Sequence, residues 1–470
     1  MFRRILATAL CLCLLLSLPA LSPAEDALRV SLPETVKGYT SNTVKVVSPA
    51  AGEAEFRLYD VMKNLWLTRR ERLSAGENRL TWDGLGENQE RLFAGPYHFT
   101  VTLRADDGRE YNAKAKFNIS GTVPALVYAL PSSYTLYLSG GDRWFTEVFV
   151  SAECFVVLEV RDKNGKKVFS KEQEIKDPDG ESIKWSGTIS GKKKIAPGEY
   201  TVSVRSKPNP AYEATFPLKV EEKDPLSREV KETGPVMPER GMSDEEIWEI
   251  MMKPSVVINE KGSSLRIDLY PGPRASGRPV GTLCCATQAL EVLGFEGAWA
   301  KVAAWSHTDG KRVEGYIRKK RLTVFAPNTP YGILVDKRDQ TLTVFENGKR
   351  IGAVPISTGK QVGGENYRET PAGAFLTDVR FGSSFAQDGF RYEYPIRYDG
   401  GNIIHGVGFT RDGRGRDYSA NLPLLGQKAS HGCVRVSPFI SEDSPINMYW
   451  LWLRLPYHTR VIILDDEDNE

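Results

Sequence analysis

Two histidines and one cysteine near the C-terminal end of the chain have the chemistry of a thiol-based catalytic site. The chain contains five histidines; His431 lies two residues before Cys433 in a Ser-His-Gly-Cys-Val-Arg segment, and His405 lies upstream in Ile-His-Gly. A free thiol is mostly protonated at neutral pH, and a neighbouring imidazole can hold it as the nucleophilic thiolate. A cysteine and a histidine that are distant in sequence therefore predict an acyl-transfer site.

Two other interpretations of the same residues are weaker. Two histidines and a cysteine can bind zinc, but His-x-Cys is not a usual zinc pairing, and the chain contains no Cys-x-x-Cys or His-Glu-x-x-His segment. A purely structural role is also disfavoured, because a polar His-Gly-Cys turn is a poor core element. We therefore expect no metal at this site.

Strand patterns must position these residues. Residues 328–466 contain successive β-type runs, and Asn347-Gly348 between two of them is a strong hairpin signal. Four motifs follow in order, Ser-Thr-Gly, Thr-Pro-x-Gly, Ile-His-Gly and Ser-His-Gly-Cys-Val-Arg. This ordered set resembles the L,D-transpeptidase catalytic domain of the YkuD type over roughly 140 residues.

The resemblance implies catalytic roles for four residues of the last two motifs. Cys433 would attack an amide carbonyl, and His405, oriented by the backbone at Gly406, would be the base that deprotonates the thiol and then protonates the departing amine. His431 would shape the site, and the N–H groups around Gly432 would form an oxyanion hole. The resemblance implies no metal or organic cofactor.

The same motifs supply candidate substrate-binding residues. These are Arg435, Ser430, Gly406, Thr358 and Gly359. The planar guanidinium of Arg435 suits a bidentate contact with a substrate carboxylate. The gap between His405 and Cys433 is longer than in many members of the family, and leaves open whether the two histidines exchange roles. The extra residues, Gly408 to Lys428, could form a lid, a basic rim for acidic stem-peptide groups or a solvated loop. The basic residues of this segment are Arg411, Arg414, Arg416 and Lys428.

The N-terminus predicts export. Arg3 and Arg4 precede an apolar run and a small-residue cleavage site, so we expect residues 1–24 to be a signal peptide, with an uncleaved anchor as the alternative. Without them the chain is formally neutral, which argues against a nucleic-acid partner. No later segment is long and apolar enough to span a bilayer. We expect a location in the periplasm, the cell wall or at the extracellular face.

The first half of the chain contains an internal repeat. The segments around Trp82 and Tyr97 return around Trp185 and Tyr200 with the same spacing of 103 residues. Short alternating strands broken by Gly, Asn and Asp turns predict two β-sandwiches, at 26–120 and 123–220, which resemble immunoglobulin-like modules. The four cysteines after residue 24 are too few for a disulfide framework, and we expect Cys154, Cys284 and Cys285 to be buried and inert.

A second accessory region follows. Residues 221–253 read as a charged linker ending in a short helix, in which Ser243 and Glu246 form a capping box. Residues 254–325 resemble a bacterial SH3-like barrel through their Gly-x-Trp-x-x-Val and Gly-Tyr-Ile segments. The chain is therefore predicted to be mostly β and multidomain, with a C-terminal catalytic domain at 328–466.

Taken together, the motifs predict an exported peptidoglycan L,D-transpeptidase that forms 3–3 cross-links through a Cys433 thioester. Its partners would be peptidoglycan stem peptides, with wall glycan or peptide bound by the SH3-like region. Water or a protein amine as acceptor would make it an L,D-carboxypeptidase or an anchoring enzyme. From a different class, a non-catalytic wall-binding scaffold is the remaining alternative.

Overall fold

The chain is mostly β and is divided among several sheets, as the sequence predicts. The computed structural model describes residues 27–466, except for 39, 61–64, 88–91, 93–94, 123, 140–143, 178–179, 211–212, 261–265, 285–286, 328–329, 361–368, 379, 381, 413–414 and 442–443. The predicted signal peptide, Arg414 and Cys285 lie outside these described residues. Within them, no helix is long and apolar enough to cross a membrane.

The first repeat folds as two sheets. Its strands are β1 (Arg29–Ser31), β2 (Thr35–Gly38), β3 (Asn42–Ser48), β4 (Gly52–Asp60), β5 (Leu65–Leu73), β6 (Gly76–Trp82), β7 (Gly95–Ala105) and β8 (Glu110–Thr122). A three-stranded sheet has the order β1-β3-β6, and a five-stranded sheet has the order β2-β8-β7-β4-β5. Alternating side chains of both sheets are buried in one apolar cluster.

The second repeat has the same topology. Its strands are β9 (Leu126–Pro131), β10 (Thr135–Tyr137), β11 (Phe145–Val150), β12 (Cys154–Asp162), β13 (Lys167–Ile175), β14 (Glu181–Lys184), β15 (Thr188–Ser190), β16 (Lys193–Lys194), β17 (Gly198–Ser206) and β18 (Glu213–Glu221). The sheet orders β9-β11-β14 and β10-β18-β17-β12-β13 match those of the first repeat strand for strand.

The repeated tryptophans also make the same hydrogen bond in both repeats. The buried indole of Trp82 donates to the Leu85 carbonyl at 2.9 Å, and that of Trp185 donates to the Thr188 carbonyl at 2.8 Å. Each bond spans three residues and satisfies the one donor of a buried ring. This pairing supports two tandem sandwiches, and the immunoglobulin-like assignment stays a prediction.

The next region combines a helix with short strands. Helix α1 (Asp244–Met252) begins with the predicted Ser243–Glu246 capping box. The strands are β19 (Ser255–Ile258), β20 (Ile267–Leu269), β21 (Gly281–Leu283), β22 (Glu291–Glu296), β23 (Trp299–Trp305), β24 (Arg312–Arg318) and β25 (Leu322–Phe325), with a 3-10 helix at Lys319–Arg321. The SH3-like assignment of these strands stays a prediction.

The predicted linker is more firmly packed than its composition suggests. Val230 is buried in the core of the β19–β25 region, and Met251 of helix α1 is fully buried against the C-terminal sheet. The Met251 carbonyl accepts a hydrogen bond from the buried Arg460 guanidinium at 3.0 Å. Charge and proline content mark a segment without regular structure, but they do not show what that segment contacts.

The C-terminal region is built on one large sheet. Its elements are β26 (Tyr331–Asp336), β27 (Thr341–Glu346), β28 (Lys349–Ser357), β29 (Gly373–Leu376), β30 (Ser384–Gln387), β31 (Phe390–Glu393), β32 (Ile396–Asp399), β33 (Asn402–Gly406), β34 (Thr410–Asp412), β35 (Gly415–Asp417), a 3-10 helix at Leu422–Leu424, β36 (Val434–Val436), α2 (Met448–Arg454) and β37 (Arg460–Leu464). Eight strands are ordered β29-β37-β26-β27-β28-β36-β33-β32.

The predicted Asn-Gly hairpin joins β27 to β28. Glu346 pairs with Lys349, which leaves Asn347 and Gly348 as the two loop residues. Their φ angles of 49° and 82° are both positive, as a type I′ turn requires. This turn fixes the register of the two strands beside the site.

The second repeat is docked on helix α2. Trp452, 1% exposed, meets Tyr128 and Phe149 of the repeat edge-on, with ring centroids 4.5 and 4.8 Å apart. Arg380 of the C-terminal region forms an ion pair with Glu147 of the repeat at 3.0 Å. The repeat therefore shares an apolar core with the C-terminal sheet.

We predict that Trp452→Ala lowers the thermal midpoint of the C-terminal domain. Loss of a fully buried indole leaves a cavity between domain and repeat and costs about 3–5 kcal/mol. Phe155→Ala removes a ring of comparable size that is 45% exposed and should cost about 0.5 kcal/mol or less. Scanning calorimetry of both variants measures the difference. Equal shifts would contradict the shared core.

Candidate active site

The pairing of β33 with β36 brings the two motifs together. These strands are parallel, with Ile404 opposite Val434 and His405 opposite Arg435. Ile404 and Val434 point into the apolar core. Because side chains alternate along a strand, His405 and Arg435 share the opposite face, and Cys433, two residues before Arg435, is their diagonal neighbour there. The predicted nucleophile and base are thus placed on one face.

The tautomer of His405 follows from its hydrogen bond. Its Nδ1 lies 2.7 Å from the Gly406 carbonyl oxygen. A carbonyl can only accept, so Nδ1 carries the proton and Nε2 has a free lone pair. This is the orientation by the Gly406 backbone that the motif implies. It leaves Nε2 as the nitrogen that can take a proton from a thiol.

Aromatic rings enclose the imidazole. Tyr392 and Phe385, from the β30–β31 hairpin, meet His405 edge-on with ring centroids 4.9 and 5.4 Å away. His405 is 3% exposed. Tyr392 also lies under the Arg435 guanidinium, 5.7 Å from ring centroid to Cζ. Tyr392 therefore contacts both the base and the arginine, a role that no motif in the sequence indicates.

Burial keeps both reacting groups neutral. Loss of hydration lowers the pKa of His405 to about 4, outweighing its hydrogen bond to Gly406, and Arg435 lowers it further. Burial likewise raises the pKa of the Cys433 thiol above its ordinary value, although a hydrogen bond with the Ile403 backbone and the charge of Arg435 lower it in part. At neutral pH the resting pair is therefore thiol and imidazole.

The turn before Cys433 is fixed by its own hydrogen bonds. The Ser430 hydroxyl donates to the Cys433 carbonyl at 2.6 Å and accepts from the Gly432 N–H at 3.2 Å. Gly432 has a φ of 114°, and a Cβ there would lie 2.5 Å from Asn402 Oδ1. Only glycine fits this position without displacing Asn402.

These contacts bear on the expected oxyanion hole. The Gly432 N–H is directed to Ser430 Oγ, so it is already engaged within the turn. An oxyanion hole that used Gly432 would require that bond to break. Ser430 accordingly lies inside the turn, where it holds the peptide that carries the nucleophile.

Thr370 connects the remaining motifs to this turn. Its hydroxyl accepts a hydrogen bond from the Gly359 N–H at 2.8 Å and donates one to the Gly432 carbonyl at 2.9 Å. The Thr370 side chain is fully buried. The Thr358 carbonyl accepts from the Ser430 N–H at 2.9 Å. Thr358 and Gly359 thus support the backbone of the turn. The Thr-Pro-x-Gly motif was the signal that could have identified Thr370.

The two remaining candidates differ in exposure. Arg435 is 8% exposed, and its Nε has no hydrogen-bond partner among the described residues. A buried guanidinium with an unsatisfied donor is suited to an anionic group of a substrate. His431 is exposed on the turn, unlike the enclosed His405. The geometry favours His405 over His431 as the base.

The segment between His405 and Cys433 is folded. Val407, Phe409 and Tyr418 form a small apolar cluster of their own. Of its predicted basic residues, Arg416 is buried in an ion pair with Glu393 at 2.9 Å, and Lys428 forms an ion pair with Glu369 at 3.0 Å. These two cations are neutralised within the protein, which argues against a basic rim built on them.

The first repeat contacts this segment. Its buried Trp66 meets Phe439 edge-on at 6.4 Å and lies under the Arg416 guanidinium at 5.4 Å. The segment between His405 and Cys433 is thus held in place by its own apolar cluster, by carboxylates of the C-terminal domain and by a tryptophan from the first repeat. A solvated loop is not what the structure shows for this segment.

Sequence comparison agrees with this geometry. The family model for the L,D-transpeptidase catalytic domain, YkuD, matches residues 330–463, close to the predicted 328–466. These residues are a YkuD-type L,D-transpeptidase catalytic domain. "Putative L,D-transpeptidase YciB" from Bacillus subtilis (strain 168) is 29% identical to this chain over 133 residues, 27% of this chain and 63% of that protein. The chain therefore spans less than two thirds of that relative's length.

Solved structures of L,D-transpeptidases also align with the chain. One from Xylanimonas cellulosilytica DSM 15894 is 23% identical, with 29% of this chain and 61% of that chain covered and a TM-score of 0.22. One from Mycobacterium tuberculosis H37Rv is 18% identical, with coverages of 37% and 69% and a TM-score of 0.23. One from Mycobacterium smegmatis is 16% identical, with coverages of 57% and 95% and a TM-score of 0.24.

We predict that alkylation of Cys433 by iodoacetamide accelerates continuously with pH. The thiol pKa is raised, so the reactive thiolate fraction grows about tenfold per pH unit between about pH 6 and the ordinary thiol pKa near 8.5. Site-resolved peptide mass spectrometry measures the rate at Cys433 alone. A plateau between about pH 5 and 8 would instead indicate a preformed thiolate–imidazolium pair.

Thr370→Val should reduce turnover far more than it reduces folding. Valine keeps the shape but leaves the buried Gly359 N–H unpaired, at about 1–3 kcal/mol. The Gly432 carbonyl then keeps only its longer hydrogen bond from the Tyr398 hydroxyl, at 3.4 Å. We expect kcat to fall at least tenfold while the thermal midpoint falls by only a few degrees. Thr370→Ser restores the hydroxyl and should recover most of the activity. If Thr370→Ser did not recover activity, the loss of turnover in Thr370→Val would not be due to the missing hydroxyl hydrogen bonds.

Proposed function

We propose that the chain is an exported peptidoglycan L,D-transpeptidase that forms 3–3 cross-links through a thioester on Cys433. The proposal is supported by the β33–β36 register, in which His405 lies opposite Arg435, two residues after Cys433, and by the bare Nε2 of His405. The family match of residues 330–463 gives the reaction class. Export rests on the N-terminal sequence.

In the first half-reaction His405 Nε2 takes the proton of the Cys433 thiol as the sulfur attacks the carbonyl carbon of the third residue of a donor stem peptide. The C–N bond to the terminal D-alanine then breaks, and the imidazolium protonates the departing amine. A thioester and free D-alanine result. Arg435, buried with an unpaired Nε, would hold a carboxylate of the donor.

In the second half-reaction the side-chain amine of another stem attacks the thioester. His405 takes the amine proton, the C–S bond breaks and the thiol is regenerated. Water in place of the amine gives an L,D-carboxypeptidase, and a protein amine gives an anchoring enzyme. All three use the same acyl-enzyme, so the acceptor alone distinguishes them.

The intact-mass spectrum after incubation with a tetrapeptide-stem muropeptide or a carbapenem tests the acyl-enzyme. We expect an adduct equal to the muropeptide less alanine, or to the whole carbapenem. Cys433→Ala should lose both adducts, and Cys154→Ala, which alters a buried cysteine of the second repeat, should keep them. A folded wild-type protein without either adduct would support the non-catalytic scaffold.

Analysis of the released muropeptides then identifies the acceptor. Dimers joined between two diamino residues indicate cross-linking, whereas tripeptide stems alone indicate hydrolysis. Tripeptide stems without dimers, at a high concentration of the acceptor stem, would exclude the transpeptidase assignment but would still be consistent with the acyl-enzyme.

A further inference from the structure

A second cluster of reactive side chains lies between two domains. Cys284 Sγ is 2.8 Å from His307 Nδ1 and 3.5 Å from Asp399 Oδ1, and His307 Nδ1 is 4.0 Å from Asp399 Oδ2. One ligand atom of each residue lies within 4.8 Å of the other two. Cys284 and His307 follow strands β21 and β23, whereas Asp399 ends β32 of the catalytic domain.

The cluster is buried on one side and open on the other. Cys284 is 5% exposed and Asp399 2%, whereas the His307 side chain is 28% exposed. A buried carboxylate needs a strong partner. Within the described residues, the recorded ion pair of Asp399 is the 4.0 Å approach of His307.

Gly400 permits the close approach of the sulfur. It has a φ of 39°, and a Cβ there would lie 2.7 Å from Cys284 Sγ. Any other residue at the tip of the β32–β33 hairpin would therefore push against the thiol. The hairpin and the sulfur fit each other only because this position lacks a side chain.

We propose that Cys284, His307 and Asp399 bind a Zn²⁺ ion as three protein ligands, with the fourth position open on the exposed side of His307. Thiolate sulfur, imidazole nitrogen and carboxylate oxygen are the three ligand types of zinc sites. Binding replaces the thiol proton by the metal and releases that proton to solvent. Thiolate and carboxylate together neutralise the two positive charges.

The distances are close to those of a tetrahedral site. Metal–ligand bonds of about 2.0–2.3 Å place tetrahedral ligand atoms roughly 3.3–3.7 Å apart. The sulfur–carboxylate separation of 3.5 Å lies in this range, and the sulfur–nitrogen separation of 2.8 Å would widen by under about 1 Å. His307 is the ligand with room to move. Arg266, whose charge acts on Cys284 and His307, would face a site with no net charge.

The site is linked to the catalytic turn by one residue. Asn402 donates from Nδ2 to Asp399 Oδ2 at 3.1 Å, and its Oδ1 occupies the space beside Gly432. Asn402 also begins β33, the strand that carries His405. A metal on Asp399 would therefore fix the hairpin that supports both the base and the nucleophile turn.

Metal binding to the full-length chain tests the proposal. The protein is stripped with a chelator and titrated with Zn²⁺ by calorimetry and with Co²⁺ by absorption spectroscopy. We expect one equivalent of either ion and a thiolate-to-cobalt charge-transfer band. Cys284→Ser and Asp399→Asn should each weaken binding at least 100-fold and remove the rise in thermal midpoint that Zn²⁺ causes, with circular dichroism confirming that both variants fold.

Three control variants locate the ion. Cys433→Ala should retain full binding, which separates this site from the catalytic thiol, and so should Cys154→Ser and Cys285→Ser. Absence of binding at equimolar metal, a cobalt spectrum without the thiolate band, or loss of binding in Cys433→Ala would each overturn the proposal. Absence of binding at equimolar metal would mean that Cys284, His307 and Asp399 form a hydrogen-bonded cluster and not a metal site. None of them bears on the acyl-enzyme experiment, so the two proposals fail independently.

Discussion

The parallel pairing of β33 with β36 is the constraint on which the site depends. It places His405 opposite Arg435 and sets Cys433 on the same face. Parallel neighbours cannot be joined by a tight turn, and the chain must cross over between them. The residues between Gly406 and Val434 are this crossover. Its length, which looks like an insertion in the sequence, is therefore partly a requirement of the strand order.

The aromatic side chains of the β30–β31 hairpin have a chemical consequence for the site. Tyr392 and Phe385 exclude water from His405, and this desolvation keeps the imidazole neutral. A neutral base with a bare Nε2 can accept the thiol proton as sulfur attacks, whereas an imidazolium could not. In the proposed mechanism the thiolate–imidazolium ion pair therefore forms only as the sulfur attacks the substrate.

Local signals in the sequence predicted local structure well. The Asn347-Gly348 turn, the Ser243 capping box and the repeated tryptophans each depend on residues within a few positions of one another, and each was confirmed by backbone geometry or hydrogen bonds. The ordered motifs also identified the catalytic domain. Their residue types constrain chemistry and backbone conformation together, as Gly432 illustrates.

Contacts between distant segments were not predictable in the same way. Trp452 packs on Phe149, about three hundred residues away in the sequence, and Cys284 contacts Asp399, 115 residues away. Nothing in the local pattern of either residue indicates its partner. Cys284 was expected to be inert because a strand-like apolar run is the usual setting of a structural thiol.

The hairpin β32–β33 is where these long-range contacts converge. Its tip, at Asp399 and Gly400, meets the region that resembles an SH3-like barrel, and its second strand carries His405. Asn402 joins the tip to Gly432, so a displacement at the domain interface reaches the nucleophile turn through one side chain. The accessory region is therefore placed to influence the geometry of the catalytic site. A chain without that region would lose the Cys284 and His307 side chains beside Asp399, and the hydrogen bond from Asn402 would be the one that remains of these three contacts.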